Sequence, residues 1–239
     1  MCGRYATSRS SADLSALFGA TDEVPGLEAD YNVAPTDPVP MVRMSSTEQH
    51  ETKVLSSARW GLLPHWAKDA RAGARMINAR SETVMTASAF APSFAKRRCL
   101  IPADGWYEWV KLSDGTKQPY YMTPRDGQVV VFAGIWSVWG PDHLLTCSIV
   151  TAQAVDDLKA VHDRMPLVLP GSRWAEWLSG PADQALLAPT PADVVAGIEL
   201  RPVGAAVGDV HNDGPGLTSR VSLPSLSHRD EEPIDLTLF

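Results

Sequence analysis

The chain alternates hydrophobic with polar positions most regularly in its middle, where apolar runs are separated by short turn segments. Residues 120–123, 128–139 and 144–151 are rich in Val, Ile, Phe, Tyr and Trp, the residue types favoured in β-strands. Segments 124–127 and 140–142, which contain Pro, Asp and Gly, have the composition of hairpin turns. The pattern therefore predicts three strands joined by two hairpins.

Helical spacing occurs in shorter pieces. Leu14, Leu17 and Phe18 recur at helical spacing within 11–18, and Ser10 or Ser11 can cap that helix. Further short helices are predicted, and in the first half strands and turns are expected where apolar runs meet Pro and Gly. The helix segments are 155–161, 174–178 and 189–195, and the strand segments are 31–35 and 39–44. Together these elements predict a mixed, β-rich domain.

A chain of 239 residues is compatible with one mixed domain or with two small ones, and one domain is expected. A chain of this size buries a sizeable core without disulfides or a metal. Cys2, Cys99 and Cys147 form no Cys-x-x-Cys pair, no His cluster has zinc spacing, and no secretory leader is recognisable. A reducing cytosol fits best, and no apolar run has the ~20 residues that span a bilayer. From about Arg220 the composition turns to Ser, Pro and acids, which predicts a domain over 1–219 and a flexible tail over 220–239.

The net charge of −7 disfavours a nucleic-acid partner until it is mapped along the chain. Between Arg59 and Arg98 there are eight basic residues against two acidic ones. This basic stripe is a candidate phosphate-binding surface. The alternative is a solvated face whose bases pair with acids elsewhere in the fold.

Cys2 directly follows Met1, and aminopeptidase removal of Met1 would leave the thiol and the α-amine on adjacent carbons. The amine, with a pKa of ~7.7–8.0, is partly neutral at pH 7. With an aldehyde, such a residue forms a Schiff base that the thiol closes to a five-membered thiazolidine. The alternative is that Cys2 is an ordinary small apolar residue at the start of the first strand.

Other segments place reactive or planar side chains beside turn residues. Glu108 lies between aromatic residues, where low polarity would raise its pKa toward neutrality and suit it to proton transfer. A single Glu or His in such a run is, however, more often a core or surface residue. The segments that stand out are Cys2-Gly3-Arg4-Tyr5, Tyr31-Asn32-Val33-Ala34-Pro35, Trp60-Gly61-Leu62, Asn78-Ala79-Arg80-Ser81-Glu82-Thr83, Arg98-Cys99-Leu100-Ile101-Pro102, Gly105-Trp106-Tyr107-Glu108-Trp109 and His162-Asp163-Arg164-Met165-Pro166.

In order and spacing these segments resemble the SOS-response-associated peptidase (SRAP) family, whose members are also called abasic-site processing proteins. The resemblance runs from residue 2 to about 170. It implies a single SRAP-like α+β domain with a β-barrel-like core of mixed or antiparallel sheet and short peripheral helices. It also implies a bacterial, cytoplasmic, nucleoid-associated sensor of abasic sites in single-stranded DNA, with no metal or organic cofactor.

The resemblance assigns the chemistry to four residues. Cys2 would link to the ring-opened sugar as a thiazolidine, and His162 would promote opening of the sugar and take part in reversal. Glu108 would handle protons around the α-amine. Asn78 would orient attack by hydrogen bonding to the sugar or the amine.

The resemblance also implies a DNA-binding surface. Arg4 and Arg80 match phosphate contacts, Trp66 and Trp109 are stacking candidates, and Pro35 would line the abasic pocket. Gly3 and Thr151 complete this predicted set. Ala67 stands where relatives carry a second Trp, which predicts a weaker wedge between duplex and single strand. Ser88-Ala89 lacks a base that some relatives carry, for which Lys68, Arg71 or Lys96 would have to compensate.

Other functions remain open at this stage. One is a noncovalent single-strand-binding module in which Cys2 is structural, and another is a cysteine peptidase that releases its own short leader. A metal hydrolase is disfavoured by the Cys and His spacing. The C-terminal residues Leu236, Leu238 and Phe239 resemble a sliding-clamp-binding peptide, or else form a strand that pairs back onto the domain.

Overall fold

The structure is a computed structural model that describes residues 2–46 and 51–222. These residues form strands β1 to β13 and four short α-helices. The strands are Tyr5–Thr7, Thr21–Asp22, Asp30–Val33, Pro38–Ser46, Glu51–Trp60, Asn78–Arg80, Arg98–Ala103, Gly105–Lys111, Lys117–Pro124, Val130–Trp139, Leu144–Gln153, Arg164–Pro166 and Ile198–Pro202, in that order. The helices α1 to α4 are Ser11–Phe18, Ala91–Lys96, Trp174–Ser179 and Ala192–Ala196.

The larger sheet closes on itself. Its strand order is β12-β11-β10-β7-β4-β5-β2, and β5 also pairs with β11, so that β4, β5, β7, β10 and β11 form a ring. The closing contact is parallel and joins Arg59 to Thr146 and Trp60 to Cys147. The predicted α+β class with a barrel-like core of mixed sheet is confirmed.

A smaller sheet, with the order β13-β9-β8-β1-β3, packs against the inner core of this barrel. Tyr5 and Trp106 of the small sheet pack edge-on against Phe132 of the barrel, with ring centroids 6.0 and 5.8 Å away. Alternate residues of the barrel strands point into this inner core, and the residues between them meet the helices outside. Phe132 of β10 therefore faces inward, whereas Val131 faces the helical layer.

The helix predicted over 11–18 is confirmed, because Ser10 caps α1 by accepting from the backbone N–H of Asp13. The helix over 174–178 is confirmed as α3. Segment 155–161 instead forms the 3₁₀ turn Asp156–Ala160. The segment predicted as helical over 189–195 becomes helical only at Ala192, because Pro191 precedes the first turn.

One of the two predicted hairpins is wrong. Segment 140–142 does join β10 to β11 as an antiparallel hairpin. Segment 124–127 turns tightly, with Gly127 N donating to Pro124 O at 3.1 Å, but it carries the chain from the small sheet to the barrel. β9 pairs with β8 and β13, not with β10.

The end of the described chain still contacts the small sheet. Val203 forms a bridge with Arg220, and Val221 N donates to Pro202 O at 2.9 Å. Contact with the body therefore continues past the predicted start of the tail at residue 220. The clamp-peptide candidates Leu236, Leu238 and Phe239 lie outside the described residues. Among the residues that are described, no helix is long and apolar enough to cross a membrane.

Candidate active site

The start of the chain runs along β8 of the small sheet. Tyr5 pairs with Trp106, and Arg4 O accepts from Tyr107 N at 2.9 Å. Because the two segments are antiparallel, this register brings Gly3 and Cys2 alongside Glu108. The pairing between the first strand and β8 therefore positions the candidate nucleophile.

Asn78 holds the main chain of Cys2. It is the first residue of β6, a short strand that pairs in parallel with β11. Its side-chain Nδ2 donates to Cys2 O at 2.7 Å. Its Oδ1 is buried and has no hydrogen-bond partner within the part of the chain that the structure describes. Asn78 thus fixes Cys2 with one end and has an acceptor left for another group.

Glu108 lies on the inner face of β8, the same face as Trp106, and is buried. Burial raises the pKa of its carboxyl group, as the sequence predicts. The Cys2 thiol is fully buried in the chain that retains Met1. Burial raises the pKa of this thiol well above its usual value, and the charge of Glu108 raises it further. The thiol is therefore protonated at neutral pH and needs a base before it can react.

His162 lies between the 3₁₀ turn that ends at Ala160 and strand β12. Its Nδ1 accepts from the backbone N–H of Arg164 at 2.9 Å. A neutral imidazole that accepts at Nδ1 carries its proton on Nε2. The ring therefore presents Nε2–H as its donor.

Arg164 is buried, and its guanidinium contacts both oxygens of Glu82, at 2.8 and 3.0 Å. Its Nη2 also donates to Thr151 O at 2.6 Å. Sequence reasoning gave neither Glu82 nor Arg164 a role. Both lie inside the segments that resemble the family, two residues after Arg80 and His162, and this position was the only signal in the sequence.

Two of the predicted DNA-binding side chains are open to solvent. Trp66 is 51% exposed on the loop that follows β5, and Arg80 is exposed at the end of β6. Gly3 and Pro35 are partly exposed. These positions are compatible with the predicted contacts, which stay predictions.

The other three predicted DNA-binding residues make contacts within the protein. Thr151 is fully buried and bonds to Arg164, so a direct DNA contact is not compatible with this arrangement. Arg4 is partly buried, and its Nη1 donates to Asn32 Oδ1 at 2.7 Å and to Val207 O at 2.8 Å. Trp109 packs with Tyr107 on the outer face of β8, opposite to Glu108, because adjacent strand residues point to opposite faces.

The basic stripe is divided between structural and exposed residues. Arg98 is buried, and it donates to the backbone oxygens of Phe94, Trp177 and Gly180. Arg71 pairs with Asp69 on the surface. The stripe members that are exposed and lie in no ion pair within the described residues are Lys68, Arg75, Arg80, Lys96 and Arg97.

Within the ranges 2–46 and 51–222, no group of three or more His, Cys, Asp or Glu side chains is placed to hold a metal ion. Fold and site together define a class: small α+β proteins in which a residue near the chain start lies beside a buried carboxyl group, an imidazole and an amide. The model of the SOS response associated peptidase (SRAP) family matches residues 1–210. The chain therefore belongs to the SRAP family.

Similar proteins support this membership. The abasic site processing protein YedK of Escherichia coli is 35% identical over 234 residues, covering 92% of this chain and 100% of the relative. The abasic site processing protein YoqW of Bacillus subtilis is 33% identical over 227 residues, covering 91% and 98%. A crystal structure of a protein from Bacteroides thetaiotaomicron shares the fold, with a TM-score of 0.77 at 22% identity over 92% of this chain and 100% of that one.

Proposed function

We propose that this protein processes abasic sites in single-stranded DNA by forming a thiazolidine through Cys2 after removal of Met1. The observation that carries the proposal is the position of Cys2, which is buried beside Glu108 with its carbonyl oxygen held by Asn78. The names of the relatives supply the substrate class. General removal of N-terminal methionine suffices, so the proposal needs no cleavage of other proteins.

The covalent step balances without a cofactor. The α-amine of Cys2 attacks the aldehyde carbon of the ring-opened sugar, and loss of one water gives a Schiff base. The thiol sulfur then adds to the same carbon, and its proton passes to the imine nitrogen. The net change converts amine, thiol and aldehyde to a thiazolidine and water, with no oxidation or reduction.

The surrounding side chains fit these proton transfers. A carboxylate whose pKa is raised by burial is a stronger base than an ordinary carboxylate, which suits Glu108 to take and return protons in both steps at Cys2. His162, with its proton on Nε2, can donate to the ring oxygen as the sugar opens. Asn78 Oδ1 offers an acceptor for the sugar hydroxyl or the α-amine.

Single-strand binding would use the exposed residues near this site. Arg80 lies two residues after Asn78 on the same strand and is exposed. In this proposal it would contact a phosphate next to the abasic nucleotide. Trp66 offers an exposed ring on which a base can stack. Arg4 would contribute by fixing the chain start rather than by binding phosphate, since Asn32 and Val207 hold it.

The test is the intact mass of the Met1-less protein after incubation with a single-stranded oligonucleotide carrying one abasic site. We expect a denaturant-resistant adduct equal to protein plus oligonucleotide minus one water. Cys2→Ser should abolish it, whereas Cys147→Ala, a change at another buried thiol, should retain it. Processed, folded protein without an adduct would leave a noncovalent single-strand-binding module as the better description.

We also propose that the C-terminal residues bind the sliding clamp. Leu236, Leu238 and Phe239 flank the polar Thr237 at the end of an acidic segment and would supply apolar anchors to a groove. Deletion of residues 235–239 should abolish clamp binding in a pull-down and leave adduct formation unchanged. Unchanged clamp affinity would contradict this part of the proposal.

A further inference from the structure

The ion pair between Glu82 and Arg164 is built into the protein next to the candidate active site. Arg164 Nη1 donates to Glu82 Oε1 at 2.8 Å and Nη2 donates to Oε2 at 3.0 Å, in the parallel geometry that favours Arg over Lys. The Arg164 side chain is only 9% exposed, whereas that of Glu82 is 45% exposed. Glu82 therefore holds a buried cation from the solvent side.

The pair ties together three segments that are distant in sequence. Glu82 lies two residues after β6, which carries Asn78 at its other end. Thr151 of β11 accepts from Arg164 Nη2 and, through the same carbonyl oxygen, from Ser81 N at 2.8 Å. Arg164 begins β12. A shift of the Arg164 side chain would thus displace both the strand that carries Asn78 and the segment that follows His162.

Arg164 also sets the hydrogen bonding of His162 directly. Its backbone N–H donates to His162 Nδ1 at 2.9 Å. This contact favours the tautomer with the proton on Nε2, since the other tautomer would bring two N–H groups together. The position of the Arg164 backbone therefore decides which ring nitrogen is a donor.

We propose that Glu82 is a positioning residue for His162. By clamping the guanidinium of Arg164 it fixes the backbone N–H that selects the Nε2–H tautomer and aims the ring. The consequence for the reaction rests on the proposed function, whereas the effect on the ring itself does not. Glu82 touches no reacting atom in this account, because it acts through Arg164.

The substitution Glu82→Gln changes little in shape but replaces one acceptor oxygen by an NH₂ group that faces the guanidinium. It also leaves the buried charge of Arg164 without its carboxylate. We expect Arg164 to move toward solvent and its backbone N–H to turn away from His162. Glu82→Asp keeps the charge on a shorter stem and should preserve the clamp in part.

A matched control exists on the small sheet. Glu199 and Arg201 form a similar two-contact pair, at 3.3 and 2.9 Å, on β13. The two hydrogen bonds of this pair involve no residue of β6, β11 or β12. Glu199→Gln therefore removes an equivalent carboxylate without disturbing the segment that holds His162.

The first measurement is the tautomer of His162 by ¹⁵N NMR of the DNA-free protein above pH 8, with His162→Gln used to assign its signals. We expect the Nε2–H form in the wild type and in Glu199→Gln, and a mixture of both tautomers in Glu82→Gln. A wild-type tautomer in Glu82→Gln would overturn the proposal. If Glu82→Gln does not fold, Glu82→Asp takes its place, with a smaller shift expected and the wild-type pattern as the contradicting result.

The second measurement is the single-turnover rate of adduct formation at saturating abasic DNA, from pH 5.5 to 9. We expect Glu82→Gln to lower the maximal rate about tenfold and to shift its pH profile, with partial rescue in Glu82→Asp. Affinity for an unmodified strand should stay within about twofold of wild type, which separates positioning from binding. A rate loss that only follows a loss of affinity would contradict the proposal. Absence of any wild-type adduct would instead refute the proposed function, and the tautomer would still decide the role of Glu82.

Discussion

Burial raises the pKa of Glu108, and this shift makes the stability of the protein depend on pH. Because the folded pKa lies above the unfolded value of ~4.3, the folded protein binds the proton more tightly between the two values. The free energy of unfolding therefore gains most from this group below the unfolded pKa and falls as the pH rises through the folded pKa. At neutral pH the buried carboxyl group therefore lowers the free energy of unfolding.

The substitution Glu108→Gln removes this cost together with the proton acceptor. We expect a higher melting temperature at pH 7.5, a flatter dependence of melting temperature on pH above ~4.3, and adduct formation about 100-fold slower. Thermal melts from pH 4 to 8 and single-turnover rates check both parts. Glu176→Gln, at an exposed position on α3, is the control and should change neither. A destabilised Glu108→Gln would show that the carboxylate is stabilised in the fold.

At the residue scale the sequence supplied the reactive groups but not their supports. Cys2 and Glu108 stood out by their own chemistry, whereas the roles of Asn78 and His162 came from the resemblance to the family. The bonding of Thr151 to Arg164, and of Arg164 to Glu82, depends on three segments that meet only in the fold. No local pattern distinguishes a guanidinium that binds phosphate from one that binds a carboxylate.

At the scale of elements, the loop that carries Trp66 is held by a close backbone approach. Gly61 adopts a φ of 135°, and a Cβ on Gly73 would lie 2.6 Å from Gly61 O. Only glycine fits both positions, because backbone atoms cannot yield as a flexible side chain does. The contact joins the end of β5 to the 3₁₀ turn Ala70–Arg75, and Trp66 lies between them.

The substitution Gly73→Ala should therefore push this loop outward. We expect a loss of ~1–3 kcal/mol in the free energy of unfolding and weaker binding of single-stranded DNA. Urea unfolding and fluorescence anisotropy measure the two effects. Gly208→Ala, which meets no atom within 4 Å, should leave both unchanged. If Gly73→Ala binds DNA as the wild type does, the Trp66 loop does not depend on this contact.

Element types were easier to predict from the sequence than element partners. Residues 120–139 alternate in the same way whether the turn at 124–127 reverses a hairpin or passes to another sheet. Because the pairing of β9 with β13 and of β10 with β7 spans long stretches of chain, the local pattern could not reveal it. The short helices were placed by their caps and apolar spacing, and Pro191 explains why α4 starts late.

On the scale of the whole molecule, an overall charge of −7 coexists with an exposed basic side chain beside the site. Phosphate contacts act locally, since the Debye length at physiological ionic strength is about 8 Å. Distant carboxylates are therefore largely screened at Arg80. Net charge alone did not exclude DNA, and mapping it along the chain was only partly informative because Arg98 is structural.

The substitution Arg80→Ala should weaken single-strand binding and reduce the steepness of its salt dependence by ~0.7 in log K per log salt, the value for one phosphate contact. Titrations of an unmodified oligonucleotide between 50 and 300 mM salt measure this slope. Arg71→Ala is the matched control, because Arg71 is also exposed but pairs with Asp69. Equal slopes for Arg80→Ala and the wild type would rule out a phosphate contact at Arg80.

The pairing of the chain start with β8 has a practical consequence for handling the protein. A vector-derived tag or protease scar left in front of Cys2 would replace the free amine by a peptide bond. It would also extend the segment that is hydrogen-bonded to β8 through Arg4 O and Tyr107 N. Such a preparation could fold normally, bind DNA and still be chemically inert. For adduct assays an affinity handle therefore belongs at the other end of the chain, whereas tests of clamp binding need that end untagged. A negative adduct result from an amino-terminally tagged sample carries no weight.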